Sequence, residues 1–373
     1  MAAATEQAGG QVQGDALNPW PRFLPKRADG VLVEVTGRTI GARALLTPGP
    51  NPRTFNEIVI GVMGRALGVS PLELCACVWL SNHYHLLVVV REQQQLSRFM
   101  QHLACNVSKE VGRLRDWSGP LWARRYDGIV VSDEPDVQWH RLKYLLSHGV
   151  KEGLLESPLL WPGVHAAKAL VHGEPLSGHW FNRSEEWAAR NRGLEVSTYD
   201  FATEYLLGFS PLPAFRQLTP EKYRQKVAEL IVEIEEEGRA KREGDPVAGV
   251  ETILSQNPYE PPTRRPKRSA RPVFHFHARE ANESLWGELK AFLKEYRYAS
   301  EALKSGMMEA IDWFPDGCYR PQLPFLGLPS PPRPPSPPTR RIEVLESGQT
   351  ERGAIPVVEI PGRVWSGSPD HPT

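Results

Sequence analysis

The segment HYHLLVVV at residues 83–90 constrains the fold more strongly than any other part of the sequence. It ends in an unbroken run of Leu and Val, which is typical of a β-strand buried on both faces. Successive side chains of a strand point to opposite faces, so His83 and His85 share one face while Tyr84 points to the other. The pattern therefore predicts a buried strand that carries two neighbouring imidazoles near its start.

Two neutral imidazoles on one strand face supply two of the ligands that a divalent ion needs, and another element can complete the set. Taken alone, a His-x-His pair is more often two half-exposed strand histidines. The surrounding sequence decides between these interpretations.

Periodicity predicts an α+β fold, with helices on one face of a mostly antiparallel sheet and a mainly helical or irregular C-terminal region. Strands are predicted at 31–40, 71–81 and 126–131, and 71–81 is expected to pair antiparallel with 83–90. Helices are predicted at 51–69, 92–115, 133–155, 219–244 and 285–306. Composition divides the chain into a flexible N-terminus (1–19), the α+β domain (20–165), an accessory region (166–260), a basic Pro-rich linker (261–272), a helical segment (273–326) and a disordered Pro-rich tail (327–373).

Composition also limits the classes of function. The formal net charge is zero, which argues against a general polyanion binder but permits local basic patches. The four cysteines (Cys75, Cys77, Cys105 and Cys318) form no C-x-x-C pair and fit a reducing compartment. The chain shows no apolar run of the roughly 18 residues that a membrane span requires, and no secretory leader pattern. We therefore expect a cytoplasmic protein without membrane association.

Tyr144 and His148 lie four residues apart in the predicted helix 133–155, which places them on one face of that helix. A tyrosine there can act as a nucleophile toward phosphorus while His148 reaches the same ion as His83 and His85. Tyr144 considered alone is also compatible with an ordinary packing aromatic.

Five motifs in order resemble the single-tyrosine HUH transposases, in particular the REP-associated tyrosine transposases of bacteria: SNHYHLLVVV, LSRFMQHL, GPLWARRYDGIVV, LKYLLSHGVKEGLL and WPG. The resemblance covers residues 20–165. It implies an RRM-like or ferredoxin-like sheet, and metal-dependent cleavage and joining of single-stranded DNA at hairpins through a 5′-phosphotyrosine. It further implies Mg²⁺ or Mn²⁺ as cofactor, hairpin DNA as partner, and a nucleoid-associated activity in a bacterial cytoplasm. Relatives include monomers and dimers, so a homodimer stays open.

The resemblance also implies roles for single residues. His83 and His85 match the HUH pair of metal ligands, and Tyr144 matches the nucleophile. His148 stands where relatives carry Asn or Gln as a third ligand, and SHGVKEG at 147–153 replaces their Asn-Pro-x-Arg-Ala-Gly. A site built only of nitrogen would shift the preference from Mg²⁺ toward Mn²⁺, Co²⁺ or Zn²⁺.

DNA contact is predicted in GPLWARRYDG at 119–128, where Trp122 and Tyr126 can stack on bases and Arg124 and Arg125 can meet phosphates. Trp122 is equally compatible with a core position. The basic residues of the linker can add backbone affinity that falls with salt, although a solvated linker explains them nearly as well: Arg264, Arg265, Lys267, Arg268 and Arg271.

Other features have plainer interpretations. A second His-x-His pair, His275 and His277, lacks a long apolar strand after it and is the weaker candidate for a metal pair. His102 and His140 are expected to be structural or surface residues, and Cys75 and Cys77 to be core residues. Two other functions stay open, namely a protein that binds hairpin DNA without cutting it and a phosphodiesterase that uses activated water.

Overall fold

A computed structural model describes residues 23–263, 273–316, 318, 337–338, 342–344 and 350–362 of the 373-residue chain. The strands are β1 Val31–Arg38, β2 Glu73–Trp79, β3 His83–Val90, β4 Asp127–Val131, β5 Leu176–Phe181, β6 Ala202–Leu207, β7 Phe274–His275, β8 Ile342–Val344, β9 Thr350–Arg352 and β10 Val357–Ile360. The α-helices are α1 Pro52–Val69, α2 Gln93–Arg115, α3 Pro135–Leu146, α4 Ala167–His172, α5 Arg183–Asn191, α6 Pro220–Arg242, α7 Val250–Leu254 and α8 Arg279–Lys304.

The strand β3 lies inside a five-stranded sheet of order β2-β3-β1-β4-β7. It pairs antiparallel with β1 and with β2, and the predicted pairing with β2 is confirmed. Every residue of β3 after His83 is buried, because β3 has a strand on each side and packed elements over both faces. The α+β class with a mainly antiparallel sheet is confirmed.

Helices cover both faces of this sheet. On the face of Tyr84, the ring of Trp122 packs edge-on at 5.4 Å between centroids, and its indole N–H donates to the Ala104 carbonyl of α2 at 3.0 Å. On the histidine face, Arg141 of α3 reaches Glu34 of β1. The structure thereby refines the expectation of helices on one face, since both sides of the apolar run in β3 require a cover.

The region after residue 165 adds a second sheet, of order β10-β6-β5, which packs on α1. The approach is close at Gly61, where a Cβ atom would overlap the carbonyl group of His179 in β5. One hydrophobic core continues from Val31 in β1 to Leu289 in α8. The accessory region and the α+β domain therefore share a core.

Some local predictions differ from the structure. The helix predicted at 133–155 ends at Leu146, and Gly149 beyond it adopts a φ of 91°, which a helix does not accept. The short strand β7 begins the segment expected to be helical, and β10 lies within the segment expected to be a disordered tail. Both strands form because partners remote in the sequence, β4 and β6, complete their hydrogen bonds.

Two further expectations concern the basic linker and membrane-spanning segments. The basic residues of the linker, 264–272, lie outside the described residues. Within the described ranges, none of the helices combines the length and the apolar character needed to cross a bilayer.

We expect Gly61→Ala to lower the melting temperature, because a methyl group at this position must push β5 away from α1. Overpacking of this kind costs about 1–3 kcal/mol. Gly287→Ala is the matched control in α8, since no atom lies within 4 Å of a Cβ at that position. Helix propensity alone should stabilise the control variant by about 0.5–1 kcal/mol. Thermal unfolding followed by circular dichroism compares the two, and an unchanged melting temperature for Gly61→Ala would contradict the close docking of β5.

Candidate active site

Three histidines from two elements meet on one face of the five-stranded sheet. His83 and His85 lie on β3, and His148 lies in the turn after α3. The ring centroids are 5.2 Å apart for His83 and His85, 5.6 Å for His83 and His148, and 4.5 Å for His85 and His148. One ring nitrogen from each lies within 4.8 Å of the others, so the group could hold a metal ion.

Each of the three imidazoles is held through its Nδ1 atom. His83 Nδ1 lies 2.6 Å from the side-chain oxygen of Asn82, and His85 Nδ1 lies 2.9 Å from Oε1 of Glu34. His148 Nδ1 lies 3.2 Å from Oε1 of Glu152. Because an oxygen acceptor at Nδ1 selects the tautomer with the proton there, Nε2 of each ring is left as a ligand atom.

The surroundings keep these imidazoles neutral. Desolvation by burial is the main cause that lowers the pKa of His83 well below its usual range, and it also lowers the pKa of His85. The same cause lowers the pKa of His148 to about 4. Neutral imidazole is the form that binds a metal, so the cluster is in its binding form at pH 7.

The donor set fits a divalent transition metal. Three neutral nitrogens suit Zn²⁺, Co²⁺ or Mn²⁺ better than they suit Mg²⁺, which prefers oxygen. Nζ of Lys151 lies 3.2 Å from Nε2 of His148. A metal ion bound to this nitrogen would have to replace the contact with Lys151. Burial lowers the pKa of Lys151 to about 8, so this lysine still carries its charge at pH 7.

Tyr144 lies beside the histidines and is half-buried. Its ring centroid is 5.9 Å from that of His85 and 5.1 Å from that of His148. Two cations contact the ring, with Cζ of Arg141 at 4.1 Å and Nζ of Lys151 at 3.5 Å from the centroid. Burial raises the pKa of the phenol, and the Glu34 carboxylate raises it further, while Arg141 opposes the shift.

The structure thus brings together Tyr144, His83, His85 and His148, although α3 stops before His148. The amides of Ser147 and His148 still donate to the carbonyls of Lys143 and Leu145 in α3. The side chain of Glu152 accepts from the Gly149 amide at 2.7 Å, which holds the turn in place. Sequence reasoning missed Glu34 and Glu152. A signal was present for Glu34, since it is a lone charge inside the apolar strand VLVEV.

The residues predicted to contact DNA lie on the segment before β4 and are not equivalent. Trp122 packs against Tyr84 and α2, so its contacts favour the core interpretation. Arg124 and Arg125 are exposed, and Arg124 pairs with Asp127 at 3.0 Å. The guanidinium of Arg125 lies 5.9 Å from the centroid of the half-buried Tyr126. The two arginines thus form the accessible cationic part of this segment.

The remaining candidates are not members of the three-histidine group. His277 is exposed and its Nδ1 lies 2.6 Å from Asp136, whereas His275 lies against Glu34. His140 is exposed, and the half-buried His102 has its pKa lowered to about 4 by burial. Cys75 and Cys77 are fully buried core residues.

A cleft of about 430 Å³ opens beside His83. Its walls include the β2–β3 turn at Ser81 and Asn82, the side chain of Trp161, residues 256–257 and 260 of the accessory region, and residues 261–263 at the start of the linker. Of the residues around the cluster, His83 and Glu152 line this cleft.

No protein-family model and no curated protein matches the chain. Among solved structures, the chain is similar to a REP-associated tyrosine transposase bound to a REP hairpin, at 19% identity over 42% of this chain and 86% of that chain, with a TM-score of 0.33. It is also similar to a protein described as a transposase of Deinococcus radiodurans R1, at 16% identity over 32% of this chain and 95% of that chain, with a TM-score of 0.24. At such scores neither likeness bears on the chemistry, which depends on the side chains of this chain.

We expect His148→Ala to weaken Mn²⁺ binding by at least about tenfold, because it removes one of the three converging nitrogens. His140→Ala, on the exposed face of α3, is the matched control and should bind Mn²⁺ as the unchanged protein does. Isothermal titration of the metal-free protein measures both affinities. Equal affinities for the two variants would exclude His148 from the ligand set.

Proposed function

We propose that this chain is a metal-dependent enzyme that cleaves and rejoins single-stranded DNA at hairpins through a phosphotyrosine intermediate on Tyr144. The observation that carries the proposal is the position of Tyr144 beside three histidines that each place one ring nitrogen within 4.8 Å of the others. A phenol beside a metal centre is one pairing that can carry out covalent phosphoryl transfer. The resemblance of the sequence motifs to HUH transposases supports the same reaction.

The reaction conserves one phosphodiester bond in each step. The Tyr144 oxygen forms a bond to phosphorus and loses its proton, while the bond from phosphorus to the 3′ oxygen breaks and that oxygen takes up a proton. The DNA then stays attached to the protein through its 5′ phosphate. A 3′-hydroxyl of another strand reverses the step and releases the tyrosine, so rejoining needs no external energy source.

The charged neighbours of Tyr144 suit this role. A raised phenol pKa makes the tyrosine a weak nucleophile in isolation, and the cations of Arg141 and Lys151 stabilise the phenolate that forms during attack and departure. A divalent ion held by His83, His85 and His148 would polarise the phosphate that is attacked. The exposed Arg124 and Arg125 offer charge-assisted contacts to other phosphates of the strand.

We expect Tyr144→Phe to abolish the covalent protein–DNA product while leaving hairpin binding within about twofold, because only the nucleophilic oxygen is removed. The measurement uses a pool of labelled single-stranded hairpin oligonucleotides with Mn²⁺, denaturing electrophoresis for the covalent product, and filter retention for binding. Tyr298→Phe, at an exposed tyrosine of α8, is the matched control and should form the product normally.

The outcomes separate the rival functions. A covalent product that is lost both in Tyr144→Phe and with a chelator supports the proposal. Strand cleavage that persists in Tyr144→Phe would instead indicate hydrolysis by activated water. Hairpin binding by the unchanged protein, with neither product nor cleavage across the pool, would indicate a binding protein.

A further inference from the structure

The second His-x-His pair is connected to the candidate active site by its first member. The strand β7 pairs parallel with β4, with Phe274 opposite Val130 and His275 opposite Val131. Phe274 is buried and packs edge-on against Trp286 at 5.5 Å, which anchors the strand in the core. This register places His275, which follows the linker in sequence, in the same sheet as β3.

His275 lies against Glu34. Its Nε2 atom is buried and lies 3.2 Å from Oε2 of Glu34, in an alignment that falls short of a full hydrogen bond. Glu34 is itself only 2% exposed, in the middle of β1. A carboxylate at such a depth needs polar partners, since burying an unpaired charge costs several kcal/mol.

The partners of Glu34 divide between its two oxygens. Oε1 accepts from Nδ1 of His85 at 2.9 Å, and Oε2 accepts from Nη2 of Arg141 at 2.5 Å, next to His275. The contact with His85 sets the tautomer and the ring orientation of that histidine. The contacts with Arg141 and His275 fix the orientation of the carboxylate group. Arg141 also contacts the Tyr144 ring, so one carboxylate connects the metal centre with the nucleophile.

We propose that Glu34 and His275 are positioning residues of the metal centre, and that the segment after the basic linker thereby completes the active site. Glu34 holds His85 with its Nε2 toward the other two histidines, and His275 holds Glu34. Neither residue belongs to the group that would hold the ion. The proposal rests on the metal centre proposed above, and it assigns a role to the first histidine of the second His-x-His pair that the sequence pattern does not suggest.

Titration of the full-length, metal-free protein with Co²⁺ tests this role, because the visible absorption of Co²⁺ reports both affinity and ligand geometry. We expect His275→Ala to weaken Co²⁺ binding by about 10–100-fold, the usual loss for a residue behind a ligand, and to change the absorption spectrum. The matched control is His277→Ala, two residues away and exposed, which should bind within about twofold of the unchanged protein.

Two further variants separate positioning from simple stability. His275→Gln keeps an N–H donor and should recover most of the Co²⁺ affinity, while Glu34→Gln should lose about as much as His275→Ala because its amide cannot accept from all three partners. A role confined to stability would lower the melting temperature without changing affinity or spectrum. If His275→Ala does not fold, the comparison of His275→Gln with Glu34→Gln decides.

Co²⁺ binding distinguishes the positioning role of Glu34 and His275 from the metal centre itself. His275→Ala and Glu34→Gln that bind Co²⁺ with the affinity and spectrum of the unchanged protein would overturn the positioning role alone. An unchanged protein that binds no Co²⁺ would overturn the metal centre and, with it, this inference.

Discussion

The arrangement of the candidate active site depends on the burial of one carboxylate, that of Glu34, in the middle of the sheet. Desolvation raises its pKa, and the contacts with His275, His85 and Arg141 reverse that shift, so the net direction is downward and the group stays ionised. Each of these partners comes from a different element, namely β7, β3 and α3. A single buried charge therefore ties together three elements that the chain order keeps far apart.

A second carboxylate, that of Glu152, holds the turn that carries His148. α3 stops at Leu146, and the following backbone turns sharply through Gly149 instead of continuing as a helix. Glu152 occupies the end of this turn, where it accepts from the Gly149 amide and from Nδ1 of His148. One carboxylate thus fixes both the backbone of the turn and the ring of His148 beside β3.

Sequence reasoning predicted which side chains lie together where their relation is local. His83 and His85 are related by the two-residue repeat of a strand, and Tyr144 and His148 by one turn, so spacing alone predicted which of them share a face. The partners of Glu34 could not be predicted in this way, because they depend on which strands become neighbours. Trp122 shows that a local pattern can also mislead. An aromatic residue beside two arginines resembles a base-stacking surface, but Trp122 packs against Tyr84 and α2.

Near the three neutral imidazoles, Glu34 faces Arg141 and Glu152 faces Lys151, and Arg38 adds a further positive charge that acts on His83. A divalent ion bound there would bring two positive charges that these groups do not neutralise. Exposed surroundings screen such an excess, but buried ones do so poorly. A phosphate of the substrate supplies the missing negative charge, so under the proposed function metal and DNA should each strengthen the binding of the other. Two strongly bound carboxylate ligands in the site would remove that dependence, which gives a physical reason for a cluster built from imidazoles, with its carboxylates kept behind them.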